Sequence, residues 1–467
     1  MRYYFLGIGG IGMSALARFF KQRGDEVSGY DRTESPLTQQ LVKEGIDVHY
    51  EDNPQLIPQG IDMVIYTPAV PKDTAEFVHL EKSGITMMKR SQMLGELTKG
   101  KKCVAVAGSH GKTTTSSMIA YLLHQSHIGC SAFLGGIAKN FNSNMVVDLK
   151  SDYVVVEADE YDRSFLQLHP LYSVITATDP DHLDIYGTHE NLLAAFRQYA
   201  KQTQPEGHLF VKEGNLGVGH SHEEEEHDHH EHHHDEDHTD LAPCPVSSYT
   251  AHGMEADYYA INVRNSRGSI FFDLRTPYGV IYDLELNNST LYNVENSVAA
   301  IAVVMQCGIT EEELRRGLKT FSGIKRRFDY HVNTPEIVYI DDYAHHPQEI
   351  AATIESIKYL YPNKRVVGIF QPHLYSRTQD LADGFAEALS PLDEIILMPI
   401  YPARETPIPG VTSKLILNKI NKLSKYLCTP EQVLELIPAL YPDVLVTMGA
   451  GDIDRLVPKI EELLRNN

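Results

Sequence analysis

The sequence has no surplus of base over acid. Its 467 residues carry 41 Lys and Arg against 63 Asp and Glu, a formal net charge of −22. That balance excludes a broad basic surface for nucleic acid or an anionic membrane, while a local basic pocket stays open. No apolar run reaches the roughly 18 residues of a membrane span. Cysteine is scarce: Cys103, Cys130, Cys244, Cys307 and Cys428 are scattered, with no C-x-x-C pair. This argues against a disulfide framework and for a reducing compartment. The first residues, 1–7, read straight into a strand and lack a signal-peptide layout. The expectation is a cytoplasmic protein that binds neither nucleic acid nor membrane.

What is present is ordinary for a globular chain: 42% hydrophobic and 22% charged residues, at a length that suits about three domains. The acidity is uneven. Between His220 and Asp240 lie nine histidines and ten acids, with no Lys or Arg. Such a stretch cannot bury apolar surface, so it reads as a solvated insert, at about 219–242, in a working domain. Imidazole suits Zn, Ni and Cu, so a metal reservoir is the other reading.

Short apolar strands alternate with helical stretches in three runs. The first has strands over 3–7, 26–30 and 63–66 and helices over 13–23 and 90–97. Phe19, Phe20, Met87, Met88 and Met93 have apolar neighbours and read as core. The second has strands over 103–107, 153–156 and 173–176, an alternating stretch over 269–286, and helices over 293–307 and 311–320. The third, after Gly323, has strands over 337–340, 365–370, 394–397 and 444–448. This alternation implies parallel sheets and an α/β class.

Gly7-Ile8-Gly9-Gly10-Ile11-Gly12 matches G-x-G-x-x-G between a strand and a helix. The glycines let a pyrophosphate approach backbone N–H groups at a helix N-terminus. Asp31, 19 residues beyond Gly12, fits ribose recognition. The loop reads phosphate and not base, so NAD and a UDP-sugar are both open.

Gly108-Ser109-His110-Gly111-Lys112-Thr113-Thr114 also follows a strand and opens a helix. Val106 stands where the strict P-loop, G-x-x-x-x-G-K-[ST], has its first Gly. The chemistry is still complete: glycines to wrap phosphate, Lys112 for the β- and γ-phosphates, and the Thr113 hydroxyl for Mg²⁺. Glu157-Ala158-Asp159-Glu160 ends a strand, where a carboxylate can hold that Mg²⁺. In Asp181-His182-Leu183-Asp184, a histidine between acids suits either a metal or an anionic substrate. The third run carries Lys325-Arg326-Arg327-Phe328, Asp341-Asp342-Tyr343-Ala344-His345-His346-Pro347 and Gln371-Pro372-His373-Leu374-Tyr375-Ser376-Arg377. Basic groups at strand ends suit phosphate or carboxylate.

In this order, and with Tyr292-Asn293-Val294-Glu295-Asn296 and Ile400-Tyr401-Pro402-Ala403-Arg404-Glu405, the motifs resemble the Mur ligases, ATP-dependent amide-bond enzymes of peptidoglycan synthesis. The resemblance spans nearly the whole chain outside the His/acid insert. It implies a three-domain α/β protein: a Rossmann-like UDP-sugar domain at 1–98, a P-loop ATPase domain with a mostly parallel sheet at 99–322, and a Rossmann-like amino-acid domain at 323–467. Gly9, Gly10, Ile11, Gly12 and Asp31 would then meet the sugar nucleotide. Gly108, Ser109, His110, Gly111, Lys112, Thr113 and Thr114 would cradle ATP, with Asn293 on adenine and Arg327 and Asp342 reaching ATP from the third domain. Thr113, Glu157 and His182 would hold Mg²⁺, and Tyr343, His345 and Arg377 would line the amino-acid site.

The implied reaction joins L-alanine to UDP-N-acetylmuramate in a monomer or homodimer. The nearest rival attaches a recycled peptide to the same sugar nucleotide. Tyr292, Ala344, Leu374 and Ala177 depart from the residues frequent at these places in the family. Leu374, in place of an Arg, bears most directly on the amino-acid site.

Overall fold

The computed structural model describes residues 1–180, 183–218, 240–251, 253, 256–266, 269–287, 290–403 and 405–466. Contacts group the chain into two compact units. The first comprises Met1–Val263, Phe271–Glu285 and Glu295–Ser322, the second Arg264–Ile270, Leu286–Val294 and Gly323–Asn467.

The first sheet of the first unit holds β1 (Arg2–Leu6), β2 (Glu26–Tyr30), β3 (Asp47–His49), β4 (Met63–Tyr66) and β5 (Thr86–Lys89), all parallel, in the order β3-β2-β1-β4-β5. Tyr3, Tyr4, Phe5 and Leu6 are all buried, as expected of a central strand covered on both faces. The following helix, Ile11–Gln22, buries Met13, Leu16, Ala17 and Phe20, one face at helical spacing. Phe20 stacks on Tyr3 with centroids 3.9 Å apart. Burying a phenyl ring like this contributes about 1.5–3 kcal/mol. Phe19 turns instead to Phe133, at 5.3 Å. Of the five positions read as core, Phe20 and Met93 are buried, while Phe19, Met87 and Met88 are only partly so.

The second sheet has ten strands: β6 (Lys102–Ala107), β7 (Ser131–Ala138), β8 (Ser143–Val146), β9 (Tyr153–Glu157), β10 (Tyr172–Ile175), β11 (His208–Lys212), β12 (Val246–Thr250), β13 (Tyr258–Ser266), β14 (Ser269–Thr276) and β15 (Gly279–Asn287). Their order is β15-β14-β13-β12-β11-β10-β6-β9-β7-β8. β6 lies between β9 and β10 and is parallel to both, with Val106 opposite Glu157 and Ala107 opposite Ile175. The carboxyl ends of these three strands are therefore level, and their loops are neighbours, as ligand sites in such sheets require.

The second unit carries β16 (Asp329–Asn333), β17 (Val338–Asp342), β18 (Val366–Phe370), β19 (Glu394–Leu397), β20 (Lys425–Leu427) and β21 (Val444–Met448), in the order β16-β17-β21-β18-β19-β20. Only β16, at one edge, pairs antiparallel. All of β17, β18, β19 and β21 is buried. The architecture is α/β with three mostly parallel sheets. Among the described residues no helix is long and apolar enough to cross a membrane.

Candidate active site

The loop after β6 is shaped by two glycines. Gly108 has φ +135°, and a Cβ there would lie 2.7 Å from the Ala177 nitrogen. Gly111, at φ +83°, is the N-cap of helix Lys112–His124. A Cβ there would lie 2.7 Å from Asn296 Oδ1, which itself accepts from Thr115 Oγ1 at 3.2 Å. Both conformations are ones that side chains with a Cβ avoid. The loop is tied to the end of β10: Ser109 N donates to Ala177 O at 2.9 Å, and the Thr176 hydroxyl donates to Ala107 O at 3.1 Å and to His110 O. Ser109 Oγ donates to Asp179 O at 2.8 Å. Val106, at the place of the missing first P-loop glycine, belongs to β6 and is buried, so the turn begins at Gly108. The helix N-terminus behind this loop favours an anion.

Lys112 opens that helix. Its Nζ donates to Gly108 O at 2.5 Å and to Glu160 Oε1 at 2.9 Å. Burial works against the ammonium, but Glu160, Glu157 and Asp159 together hold it protonated, above its ordinary value. Nothing in the sequence marks Glu160 as the partner of Lys112 beyond its place in the acidic run that begins at Glu157. Glu157 closes β9 and accepts the Gly135 N–H at 3.1 Å, and a Cβ on Gly135 would collide with its carboxylate. Thr113, half-buried in the first turn of the helix, and Glu157 supply a hydroxyl and a carboxylate. These hard oxygen donors fit Mg²⁺, which takes one or two carboxylates and completes its shell with phosphate and water. Asp181 and His182 lie outside the described residues, as do residues 219–239 and Arg404.

In the glycine loop after β1, Gly7 has φ +83° and donates to Tyr30 O at 2.8 Å. Gly10 caps helix Ile11–Gln22, and Ile11 is partly exposed at its start. Gly9 N donates to Asp31 Oδ2 at 2.8 Å, and Thr33 N to Asp31 Oδ1 at 3.1 Å. Both Asp31 oxygens thus hold backbone amides, one of them in the glycine loop itself. A Cβ on Gly9 would lie 2.7 Å from Asp31 Oδ2, and one on Gly12 would lie 2.8 Å from Arg90 Nη1.

In the second unit, β17 ends in two buried aspartates. Asp341 pairs with Arg326 Nε at 3.2 Å and accepts from Thr447 Oγ1 at 2.7 Å. Asp342 accepts from Phe328 N at 2.9 Å and Ala344 N at 2.8 Å. Burial pushes its carboxyl up to about 6, against the pull of Arg327 and those amides. Tyr292, one residue before Asn293 in helix Leu291–Cys307, is half-buried; loss of water around the phenol and then the Asp342 charge push it well up. Arg326 and Arg327 place guanidinium carbons 5.2 and 5.3 Å from the centre of the Tyr343 ring. Arg327 also lies 3.8 Å from Glu349.

Glu349 accepts the backbone N–H groups of His345 and His346 at 3.0 and 3.2 Å. His345 Nδ1 faces Glu349 Oε2 at 3.1 Å and Tyr343 O at 3.1 Å. With two acceptors before it, Nδ1 carries the proton and Nε2 is left to accept one. The His345 ring also meets His373, at 6.3 Å, and His373 stacks on Tyr401 at 5.7 Å. Leu374 has φ +71° and is fixed by its N–H to Tyr401 O at 2.9 Å. Glu405 holds Ser376 through its backbone N–H, at 3.0 Å, and its hydroxyl. Arg377, half-buried on the same turn, makes no ion pair among the described residues.

The comparisons agree along the whole chain. Residues 2–102 match the Mur ligase family catalytic domain, 106–304 the Mur ligase middle domain and 326–451 the Mur ligase glutamate ligase domain. The UDP-N-acetylmuramate–L-alanine ligase of Phocaeicola vulgatus is 47% identical, over 99% of this chain and 97% of its own. That of Parabacteroides distasonis is 48% identical, over 99% and 96%. The solved UDP-N-acetylmuramate-alanine ligase of Thermotoga maritima is 27% identical and superposes with a TM-score of 0.83, covering 100% of this chain and 99% of that one. With three domain matches in order, and a P-loop, acidic strand end and basic C-terminal cluster built as described, the chain belongs to the Mur ligase family.

Proposed function

We propose that the chain joins L-alanine to the lactyl carboxylate of UDP-N-acetylmuramate, with ATP supplying the energy. The observation that carries this is the Lys112 loop at a helix N-terminus, in a chain alike over its full length to ligases of that name. In this reading residues 1–98 bind the sugar nucleotide, 99–322 ATP and 323–467 the amino acid.

A carboxylate is a poor electrophile. Its oxygen attacks the γ-phosphorus of ATP, the bond to the ADP oxygen breaks, and an acyl phosphate forms. Lys112 and the backbone amides of 108–114 position the phosphates and offset their charge. Thr113 and Glu157, with His182, would hold Mg²⁺, which would supply positive charge to offset that of the phosphates. The alanine nitrogen then attacks the acyl carbon. A tetrahedral oxyanion forms, the bond to phosphate breaks, and an amide and inorganic phosphate leave. Positive groups aimed at that oxyanion lower the barrier. His345 Nε2 takes the proton the amine must lose, with Glu349 orienting the ring and stabilising its charged form. Arg377 holds the alanine carboxylate, a role that its lack of an ion pair among the described residues suits. Asn293 serves adenine, and Arg327 and Asp342 serve ATP. The glycine loop and Asp31 serve the UDP part, Asp31 by shaping the loop through Gly9.

The rival reading, transfer of a recycled peptide, is not favoured: the relatives at 47 and 48% identity carry the L-alanine name. Phosphate release from ATP with UDP-N-acetylmuramate tests both. Release that needs L-alanine supports the proposal, and release with a tripeptide alone overturns it.

A further inference from the structure

We propose that Arg90 is a positioning residue for the ligation, one that registers the glycine loop against the acidic turn serving Lys112. The inference rests on the ligase reading above. Arg90 opens helix Arg90–Thr98, directly after β5. Its side chain lies along the first turn of helix Ile11–Gln22: a Cβ on Gly12 would stand 2.8 Å from Nη1 and 3.1 Å from Cδ. Gly12 thus leaves the space that Arg90 fills. From there Nη2 donates to Asp159 Oδ2 at 3.1 Å.

Asp159 lies between Glu157 and Glu160. Its other oxygen accepts the Tyr161 N–H at 3.1 Å, and its carbonyl accepts the Phe165 N–H at 2.8 Å. The next residue, Glu160, holds Lys112. A second pair runs beside the first, Lys89 Nζ to Asp162 Oδ2 at 2.9 Å. The turn needs holding. Asp162 and Arg163 have φ of 52° and 54°, a conformation that non-glycine residues keep only where their surroundings over-determine it.

The Arg90 and Asp159 side chains are 21% and 37% exposed, and a pair that exposed contributes little to stability. Its placement is what counts. A sugar nucleotide on the glycine loop bears on Gly12, Gly12 on Arg90, Arg90 on Asp159, and Asp159 on the neighbouring Glu160 that partners Lys112. One side chain thereby sets the reach between the bound substrate and the phosphate it must attack.

The test is steady-state phosphate release by the full chain carrying Arg90→Gln, Arg90→Lys, Asp159→Asn or both Arg90→Gln and Asp159→Asn, with unfolding temperatures measured in parallel. Arg90→Gln is expected to lower kcat about tenfold and raise KM for UDP-N-acetylmuramate, with KM for L-alanine within about twofold of wild type, since displacement of a reacting group is felt most in the chemical step. Arg90→Lys recovers part of kcat. Asp159→Asn reproduces the loss, and the double variant is no worse than Arg90→Gln alone, as coupled partners behave. Wild-type kinetics in Arg90→Gln, losses that multiply in the double variant, or all KM values moving together with a fallen unfolding temperature would each overturn the inference. Wild-type turnover is the control. Without it the ligase reading fails and this inference falls with it; with it, an unaffected Arg90→Gln sinks the positioning role alone.

Discussion

Lys112 Nζ lies 2.9 Å from Glu160 Oε1, with the two side chains 14% and 1% exposed. Removing one partner of a buried pair costs up to about 3–5 kcal/mol, and here Glu157 and Asp159 offset part of that for Lys112. Glu160→Gln is therefore expected to lower the unfolding temperature. ATP, whose phosphates replace the lost carboxylate, should raise it by more in the variant than in wild type. Thermal unfolding with and without ATP checks this, and equal ATP shifts would refute it. Lys112→Ala should reduce phosphate release by at least about a hundredfold, as loss of a charge-stabilising donor does.

Gly9 leaves no room for a side chain beside Asp31. Gly9→Ala should displace the Asp31 carboxylate and distort the loop, raising KM for UDP-N-acetylmuramate by about tenfold while leaving KM for L-alanine alone, the mark of lost binding rather than lost chemistry. Unchanged sugar-nucleotide kinetics would show that the loop does not take this substrate.

Asp342 gives a pH signature. Its carboxyl titrates at about 6 in the folded chain and at about 3.9 when unfolded. Between those values the folded state binds the extra proton, so this group makes stability fall as pH rises from about 4 to about 6 and stay level above, by about 3 kcal/mol in all. Asp342→Asn cannot take up that proton. Across denaturant unfolding from pH 4 to 8, wild type should gain on the variant as pH falls through this window. A difference that does not change with pH would contradict the assignment.

Arg377 is the group proposed for the alanine carboxylate. Arg377→Ala should raise KM for L-alanine by about 10- to 100-fold, the worth of a charge-assisted hydrogen bond, with KM for ATP little changed. A larger effect on ATP would move Arg377 to the phosphate instead.

The sequence made the strands and glycine turns legible because both are local. The strands expected over 394–397 and 444–448 are β19 and β21 to the residue, and the glycines at 108 and 111 take the positive φ their turn implied. What local pattern could not show is which side chain meets which across the fold. Asp31 reads as a ribose ligand by spacing but binds Gly9 N. Asp342 reads as a group at a strand end but spends both oxygens on amides of its own unit. Glu160, Gly135 and Arg90 gain meaning only from neighbours far away in the chain. The short strands β3, β5 and β20 and the hairpin β7–β8 carry too little periodic signal to be read in advance.

β11 and β12 run parallel, with Leu209 opposite Val246. A parallel pair cannot be closed by a tight turn; it needs a crossover of about a dozen residues. Residues 213–218 leave β11 and residues 240–245 enter β12, and Val218 and Ala242 anchor these two stems in the core at 2% and 3% exposed. Closing a longer loop adds only about 0.6 kcal/mol per doubling, so the length of the connection between β11 and β12 costs the fold little. A connection held by two buried stems, and whose length costs little, is the natural place for a grafted tag or reporter.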